Sequence, residues 1–308
     1  MNVGIIGTGW GRIHCGTFRA AGCRVAAFLG RDASQARAVA EQEGVPVGTD
    51  DPADLESCDV VVIASPTPSH LEYLRYFRQK AVFCEKPLCD RPLTEGEVAE
   101  LAGGDVFVNY AFPFLDSSRR LDRWLADGRI GDVRRVLLRV GVRFEGAKSP
   151  AAWFHDVAVH PLSWLLHRFG VFTARHFHVG GGPASIAAIF DGEAPGGPQL
   201  DVALYWLPAP GLRFEIDLVG DGAVASLRGG YAPGSGWAFE PPLLDGRVPD
   251  GPTAGDGERS DGEDVWYRAN RRAVAAFRAV LDGRLRRDEA LRSGSFDLVK
   301  AAAMEKML

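Results

Sequence analysis

The chain begins with the stretch Asn2-Val3-Gly4-Ile5-Ile6-Gly7-Thr8-Gly9-Trp10-Gly11-Arg12, an apolar run followed by three closely spaced glycines. This order is typical of the point where the first strand of a dinucleotide-binding fold turns into its first helix. Glycines permit the tight turn and let the backbone approach a pyrophosphate at the positive end of that helix. The third glycine stands one position earlier than in the usual pattern, and Arg12 occupies its customary place. We predict that a dinucleotide contacts Gly7, Thr8, Gly9, Trp10, Gly11 and Arg12; the alternative is a generic strand-to-helix turn.

The first 110 residues alternate short β-branched strands with amphipathic helices, which predicts a doubly wound parallel sheet. The run Val60-Val61-Val62-Ile63-Ala64 is apolar throughout, as expected for a strand covered on both faces. Beyond Asn109, alternating strands are joined by Gly/Pro turns, which predicts a mostly antiparallel sheet. We predict an α/β protein with an N-terminal Rossmann domain over residues 1–113. A C-terminal α+β domain with a large open sheet would follow over residues 114–308, with a loop from Pro241 to Gly262.

Composition narrows the class of protein. The chain has 35 Lys and Arg against 40 Asp and Glu, and this net charge of -5 disfavours a surface that binds phosphate backbones. The five cysteines are odd in number and lie in the first third of the chain, which indicates reduced thiols. No apolar run approaches the roughly 20 residues of a membrane span, and no basic segment precedes the apolar run near the N-terminus. We expect a cytoplasmic protein without a nucleic-acid or membrane partner.

The end of the second strand bears on the choice of coenzyme. An acidic residue there normally accepts hydrogen bonds from the adenosine ribose, but this strand ends as Phe28-Leu29-Gly30-Arg31-Asp32. Glycine stands where the acid is expected, and the guanidinium of Arg31 can bind a 2′-phosphate. We therefore predict that NADP(H) is favoured over NAD(H). The alternative is that Arg31 is a solvated loop residue and Asp32 caps the next helix.

Four segments follow one another in a specific order: the glycine loop, Ala64-Ser65-Pro66-Thr67-Pro68-Ser69-His70, Glu85-Lys86-Pro87 and Asp156-Val157-Ala158-Val159-His160. With these segments the chain resembles the glucose-fructose oxidoreductase and inositol dehydrogenase family over nearly its whole length. The resemblance implies a Rossmann domain followed by an open sheet whose outer face forms subunit contacts. It also implies hydride transfer between a nicotinamide and a carbinol or equivalent centre.

The family's catalytic lysine corresponds to Lys86, and its aspartate and histidine correspond to Asp156 and His160. Residues four apart share one face of a helix, so the carboxylate can orient an imidazole that exchanges the hydroxyl proton. Lys86 can donate to the same oxygen. The alternative is that Asp156 caps a helix and His160 is a core residue. The remaining coenzyme contacts that we predict are Gly30, Arg31, Ser65, Pro66, Thr67, His70, Glu85 and Pro87.

The predicted substrate pocket departs from the family pattern. Ala152-Trp153-Phe154-His155 stands where the family often has glycines, and Asn109-Tyr110-Ala111-Phe112-Pro113-Phe114 lacks an arginine that many sugar-binding relatives have. We predict an NAD(P)-dependent oxidoreductase acting on a sugar, a cyclitol or another cyclic ketone or alcohol. An imine reductase on the same scaffold and a non-catalytic nucleotide-binding sensor are the alternatives, and no metal site is predicted. The candidate substrate contacts are Tyr110, Phe112, Trp153, His155 and Trp237.

Assembly is predicted from one strand of the second domain. Val202, Leu204 and Trp206 alternate with the uncharged residues Ala203 and Tyr205, so both faces of this strand are expected to be buried. A second copy of the chain would cover the face that the chain's own helices do not cover. We predict a homodimer or homotetramer.

Overall fold

The computed structural model describes residues 1–146, 148–182, 184–192, 196–249 and 264–306. These residues form two compact units, the first from Met1–Tyr110 with Asn270–Lys306 and the second from Ala111–Ala269. Among the described helices, none combines the length and apolar character that a membrane crossing requires.

Within the described residues, the strands in chain order are β1 (Asn2–Ile6), β2 (Arg24–Leu29), β3 (Val47–Thr49), β4 (Val60–Ile63), β5 (Ala81–Glu85), β6 (Val106–Asn109), β7 (Val133–Arg143), β8 (Phe172–Val179), β9 (Ile186–Gly192), β10 (Gln199–Trp206), β11 (Gly211–Gly220), β12 (Val224–Ala232), β13 (Gly236–Phe239), β14 (Leu243–Leu244) and β15 (Phe296–Asp297). The α-helices are α1 (Gly11–Ala20), α2 (Ala33–Gln42), α3 (His70–Tyr76), α4 (Glu95–Leu101), α5 (Asp116–Ala126), α6 (Pro150–Trp153), α7 (Val159–Phe169), α8 (Val265–Leu281), α9 (Arg287–Arg292) and α10 (Leu298–Glu305). One π-helical segment, Phe154–Ala158, joins α6 to α7.

The first unit is built on a seven-stranded sheet with the order β15-β6-β5-β4-β1-β2-β3. Strands β1 to β6 are parallel, and all four residues of β4 are buried because helices cover both faces. The strand order reverses beside β1, which is where open α/β sheets bind their ligands. The predicted Rossmann fold is therefore confirmed, and the loops after β1, β4 and β5 lie at one edge of the sheet.

The C-terminal part of the chain belongs to the first unit, whereas the sequence analysis assigned it to the second domain. Phe296 of β15 pairs antiparallel with Val108 of β6, and residues up to Lys306 pack with this sheet. A strand of two residues is too short to show an alternating pattern, so its long-range pairing left no signal in the sequence. The boundary near residue 110 lies three positions from the predicted one.

The second unit is built on an open sheet with the order β13-β12-β11-β7-β10-β9-β8, and β14 pairs with β12. Its pairs are antiparallel except for β7 with β10, so the predicted, mostly antiparallel sheet is confirmed. Strand β14 lies inside the predicted Pro241 to Gly262 loop, of which residues 250–262 lie outside the described residues.

One face of this sheet is apolar and the other is charged. Leu200, Val202 and Leu204 of β10 are buried, whereas the alternate residues of the strand are half-buried. Charged partners surround these alternate residues, as in the pairs Arg135–Asp201 and Arg139–Glu215. In the single chain this second face of the sheet is half-buried and charged rather than apolar, because neighbouring strands contribute charged side chains that β10 alone does not reveal.

Candidate functional site

The three glycines of the loop after β1 have different surroundings. Gly7 has a φ of +108°, and a Cβ there would lie 2.3 Å from the carbonyl oxygen of Ala64. A Cβ on Gly11 would lie 2.8 Å from Cγ2 of Ile5, so this glycine lets α1 pack closely on β1. A Cβ on Gly9 would meet nothing within 4 Å, which leaves open space against the backbone. Gly11 thus performs the packing role of the third glycine even though it comes one position early.

This loop fits the pyrophosphate of a dinucleotide. Helix α1 begins at Gly11, has ten residues and carries no acidic residue in its first turn, so its positive end is not neutralised there. Arg12 lies on the exposed side of the helix, where its Nε donates to Glu43 at 2.8 Å. The backbone at the start of α1 is therefore the part of this loop that would bind a pyrophosphate, while the predicted contact from the Arg12 side chain stays a prediction.

The end of β2 leaves little room for an acidic side chain. A Cβ on Gly30 would lie 3.0 Å from Cγ2 of Thr8, so any larger residue would displace that threonine. Asp32 caps α2 by accepting from Ser34 Oγ and from Gln35 N at 2.8 Å, and these two hydrogen bonds lower the pKa of its carboxyl group. Arg31 stands exposed between Gly30 and this capping residue.

Glu85, the last residue of β5, is the centre of a buried polar network. Its Oε1 accepts hydrogen bonds from Trp10 Nε1 at 2.9 Å, His14 Nε2 at 2.7 Å and Asn109 Nδ2 at 2.7 Å. Its Oε2 accepts from the backbone N–H of Lys86 at 3.2 Å. Burial acts to raise the pKa of Glu85, but the hydrogen bonds from His14 and Asn109 and the nearby charges of His14 and Lys86 together outweigh it, so the pKa is lowered. The carboxylate therefore stays ionised and fixes the backbone that carries Lys86.

The loops after β4 and β5 are joined by His70. This buried ring places Nε2 2.8 Å from the carbonyl of Ser65 and Nδ1 3.0 Å from the carbonyl of Pro87. Pro66 is exposed between these anchors, and Thr67 begins a short 3-10 turn. Among the predicted coenzyme residues, the structure thus brings Ser65, His70, Glu85, Lys86 and Pro87 together.

A carboxylate from the C-terminal helix also holds the segment after Lys86. Glu305 of α10 is buried, and it accepts from Leu88 N at 2.5 Å, Cys89 N at 3.4 Å and Tyr110 Oη at 2.5 Å. Burial is the main cause that raises its pKa to about 7. Tyr110, a candidate substrate contact, is a core residue of the first unit, and burial together with Glu305 raises its pKa well above the usual value.

In the second unit, the predicted aspartate and histidine lie on different kinds of helix. Asp156 belongs to the π-helical segment, whereas His160 belongs to the first turn of α7. Lys148 Nζ donates to Asp156 Oδ2 at 2.6 Å and lies 4.8 Å from the centre of the Trp153 ring. The wider turn of a π-helix alters the angle between positions four apart, and such segments occur often at functional sites.

Aromatic rings surround His160. Its ring stands edge-on to Trp266 at 4.9 Å and to Phe214 at 6.2 Å, and Trp237 stacks on Trp266 at 4.3 Å. Of the other candidate substrate contacts, Phe112 and Trp153 are buried. His155, in the π-helical segment, and Trp237, on β13, are half-buried. An imidazole in this apolar setting interacts more strongly with a neighbouring charge than one in water does.

Four residues with these contacts were not predicted from the sequence as site residues: His14, Asn109, Lys148 and Glu305. His14 had a weak signal, because a histidine on the apolar face of a predicted helix requires a polar partner. For Glu305, the partner residues lie 195 to 217 positions away in the chain, so no local pattern could identify it.

Comparison with known proteins supports the fold described above. Residues 1–104 match the oxidoreductase family with an NAD-binding Rossmann fold. No curated protein matches the sequence. An oxidoreductase from Agrobacterium radiobacter in complex with NAD+, L-tartaric acid and magnesium has a TM-score of 0.75 at 16% identity, over 100% of this chain and 94% of that chain.

Two further solved structures share the fold. Levoglucosan dehydrogenase in complex with NADH and levoglucosan has a TM-score of 0.75 at 14% identity, over 100% of this chain and 95% of that chain. A mutant of a 3-ketoreductase from Actinomadura kijaniata, in complex with TDP-benzene and NADP, has a TM-score of 0.68 at 18% identity, over 100% of this chain and 96% of that chain.

The family match over residues 1–104, together with the Rossmann fold, identifies the chain as an NAD(P)-dependent oxidoreductase. Within that class, the match over residues 1–104 confirms the predicted resemblance to the glucose-fructose oxidoreductase and inositol dehydrogenase family.

Proposed function

We propose that the protein transfers a hydride between NADP(H), favoured over NAD(H), and a cyclic ketone or alcohol of the sugar or cyclitol type. One observation carries this proposal. The ionised Glu85 binds both the glycine loop, through Trp10, and the backbone of Lys86. A lysine fixed beside a nucleotide-binding loop suits a chemical step on the coenzyme's substrate, and nucleotide binding alone would not require it.

The coenzyme preference rests on the end of β2. Gly30 has no carboxylate to accept from a ribose hydroxyl, and a Cβ at this position would lie only 3.0 Å from Cγ2 of Thr8. Asp32 is held by the first turn of α2. The exposed guanidinium of Arg31 is then the group suited to bind a 2′-phosphate.

Side chains of the protein would bind the substrate oxygen and transfer its proton. When bound, the nicotinamide supplies or accepts the hydride. Lys86 would donate a hydrogen bond to the substrate oxygen, and His160 would give or take the proton of that oxygen. Asp156 would favour the charged form of the imidazole, with Lys148 holding the carboxylate in place.

The aromatic surroundings of His160 favour a second candidate, an imine reductase. Phe214, Trp237 and Trp266 offer no carboxylate or amide to bind several hydroxyl groups, and the pocket would suit a less hydroxylated ring. The sensor alternative is less favoured, because it gives no role to Lys86 or His160.

Turnover measurements distinguish these candidates. NADPH consumption would be followed with cyclic sugar ketones, cyclitol ketones and cyclic imines, using wild type, Lys86→Ala, His160→Ala and the exposed-lysine control Lys306→Ala. We expect a ketone substrate, and a loss of about 10²- to 10⁴-fold in turnover for the first two variants with NADPH affinity retained. Preference for imines would support the second candidate. Tight NADPH binding without turnover of any compound would support the sensor.

A further inference from the structure

Trp10 combines an exposed ring with a buried hydrogen bond. Its side chain lies in the glycine loop and the residue is 41% exposed, yet its Nε1 donates to the buried carboxylate of Glu85. The only polar atom of the indole is therefore satisfied from within the protein. What remains accessible is an apolar, electron-rich ring whose orientation is fixed at one edge.

The strand order shows toward which strand of the sheet the Trp10 ring is directed. In the strand order β5-β4-β1-β2, Trp10 follows β1 and its indole nitrogen reaches the end of β5. The same carboxylate accepts from the backbone of Lys86. Arg31 follows β2, on the other side of β1. Trp10 is thus directed toward the strand that carries the lysine and away from the strand that ends at the predicted 2′-phosphate contact.

Further hydrogen bonds hold the Glu85 carboxylate that fixes the Trp10 ring. Asn109 and His14 donate to the same oxygen of Glu85, and Asn109 Nδ2 also donates to Oδ1 of Asn270 at 2.5 Å. Hydrogen bonds to an ionised acceptor are stronger than those to a neutral acceptor. Because the ring is held before any ligand arrives, a ligand that packs on it would not have to order a free side chain.

We propose that Trp10 is the surface on which the nicotinamide ring of the coenzyme packs, and that Glu85 is the positioning residue that orients it. This inference rests on the proposed function, because it assumes a nicotinamide coenzyme. The pyridinium of the oxidised coenzyme is flat and cationic, and such a ring is attracted to the face of an indole. The dinucleotide would then be bound at two ends, by Arg31 at the phosphate and by Trp10 at the nicotinamide.

Calorimetric titration with two ligands tests the proposal. NADP+ contains both the nicotinamide end and the adenosine 2′-phosphate end of the coenzyme, whereas adenosine 2′,5′-bisphosphate contains only the adenine end. For Trp10→Ala we expect NADP+ to bind about three- to tenfold more weakly, while adenosine 2′,5′-bisphosphate binds as it does to wild type. Trp10→Phe should recover part of the NADP+ affinity because it restores a ring. Tyr76→Ala, which removes an exposed aromatic residue outside the loop, should change neither affinity.

The role of Glu85 is tested by spectroscopy as well as by binding. Glu85→Gln retains an oxygen that can accept from Trp10 but loses the charge, so NADP+ affinity should fall less than in Trp10→Ala. NADP+ should quench tryptophan emission in wild type, and Trp10→Phe should remove most of that quenching. Equal weakening of both ligands in Trp10→Ala would show a distorted loop and overturn the proposal, as would unchanged NADP+ affinity. Failure of wild type to bind either ligand would overturn the proposed function itself.

Discussion

Lys148 Nζ donates to Asp156 Oδ2 at 2.6 Å, so the aspartate assigned to orient His160 already has a cationic partner. The pair is partly exposed, with 46% of the Lys148 side chain and 35% of the Asp156 side chain accessible. The lysine therefore offsets the charge of the carboxylate without removing it from water. Its Nζ also lies 4.8 Å from the centre of the Trp153 ring, directly before the π-helical segment.

Loss of the Lys148 charge should have little effect on folding. Exposed ion pairs contribute about 0.2 to 1 kcal/mol, so Lys148→Ala should lower the free energy of unfolding by no more than about 1 kcal/mol. Lys148→Met, which keeps a long unbranched side chain but removes the charge, should recover any part of the loss that comes from packing. Urea denaturation measures both. A loss above about 2 kcal/mol in Lys148→Ala would show that the pair is more important to the π-helical segment than its exposure indicates.

Glu305 should make stability decrease as the pH rises. Its pKa is raised to about 7 in the folded chain, mainly by burial, from an ordinary value of about 4.5. The folded state therefore binds the proton more tightly than the unfolded state, and this contribution is lost as the pH rises from about 4.5 through about 7. At about 1.36 kcal/mol per pKa unit, the contribution to the free energy of unfolding falls by about 2 kcal/mol between about pH 5.5 and about pH 8.

Glu305→Gln should remove this dependence on pH, since the amide does not titrate. Glu100→Gln, a substitution at an exposed carboxylate that pairs with Arg75, should keep the wild-type slope. Urea denaturation across the pH range measures all three proteins. An unchanged slope in Glu305→Gln would mean that Glu305 ionises normally in the folded protein.

Alanine substitutions at two glycines of one loop should have different effects, one on stability and the other on coenzyme binding. Gly11→Ala would place a methyl group 2.8 Å from Ile5 Cγ2, and overpacking of this kind costs about 1 to 3 kcal/mol of stability. Gly9→Ala meets no neighbour within 4 Å, so it should fold as stably as wild type. Its methyl group would instead occupy the space beside the backbone that would bind a pyrophosphate and weaken NADPH binding about tenfold or more. Thermal unfolding and NADPH titration separate the two effects, and a stable Gly11→Ala or a tightly binding Gly9→Ala would contradict this description of the loop.

Assembly through the charged face of the second sheet should depend on its ion pairs. We expect light scattering to give two or four times the chain mass of 33.3 kDa. Arg139 pairs with Glu215 on this face, so Arg139→Glu should shift the mass toward the monomer. Arg75→Glu, a charge reversal on the first unit, is the matched control. A wild-type monomer at micromolar concentration would contradict the assembly.

Local patterns predicted much of the first unit because its strands and its glycine loop are encoded in short stretches. The apolar run of β4 and the order of Gly7, Gly9 and Gly11 placed the sheet and its binding edge. At the end of β2, Asp32 caps α2 and Arg31 is exposed, which are the two features that the alternative to the coenzyme assignment named.

Features that depend on long-range contacts could not be predicted in this way. Glu305 reaches Tyr110 across 195 positions, and β15 has two residues. The sequence of the π-helical segment also fits the periodicity of an ordinary α-helix. The spacing of Asp156 and His160 therefore suggested a regular α-helix. The charged face of the second sheet arises from strands whose pairing the sequence of β10 does not contain.

The most direct test of the central claim is titration of wild type and Arg31→Ala with NADPH and NADH. We predict that wild type binds NADPH more tightly than NADH. Arg31→Ala should lose about ten- to a hundredfold of its NADPH affinity, because a hydrogen bond to a charged group contributes roughly 1.5 to 3 kcal/mol. NADH affinity should not change. Failure to bind either coenzyme would contradict the account of the site, and an unchanged preference in Arg31→Ala would contradict the assignment of Arg31 to the 2′-phosphate.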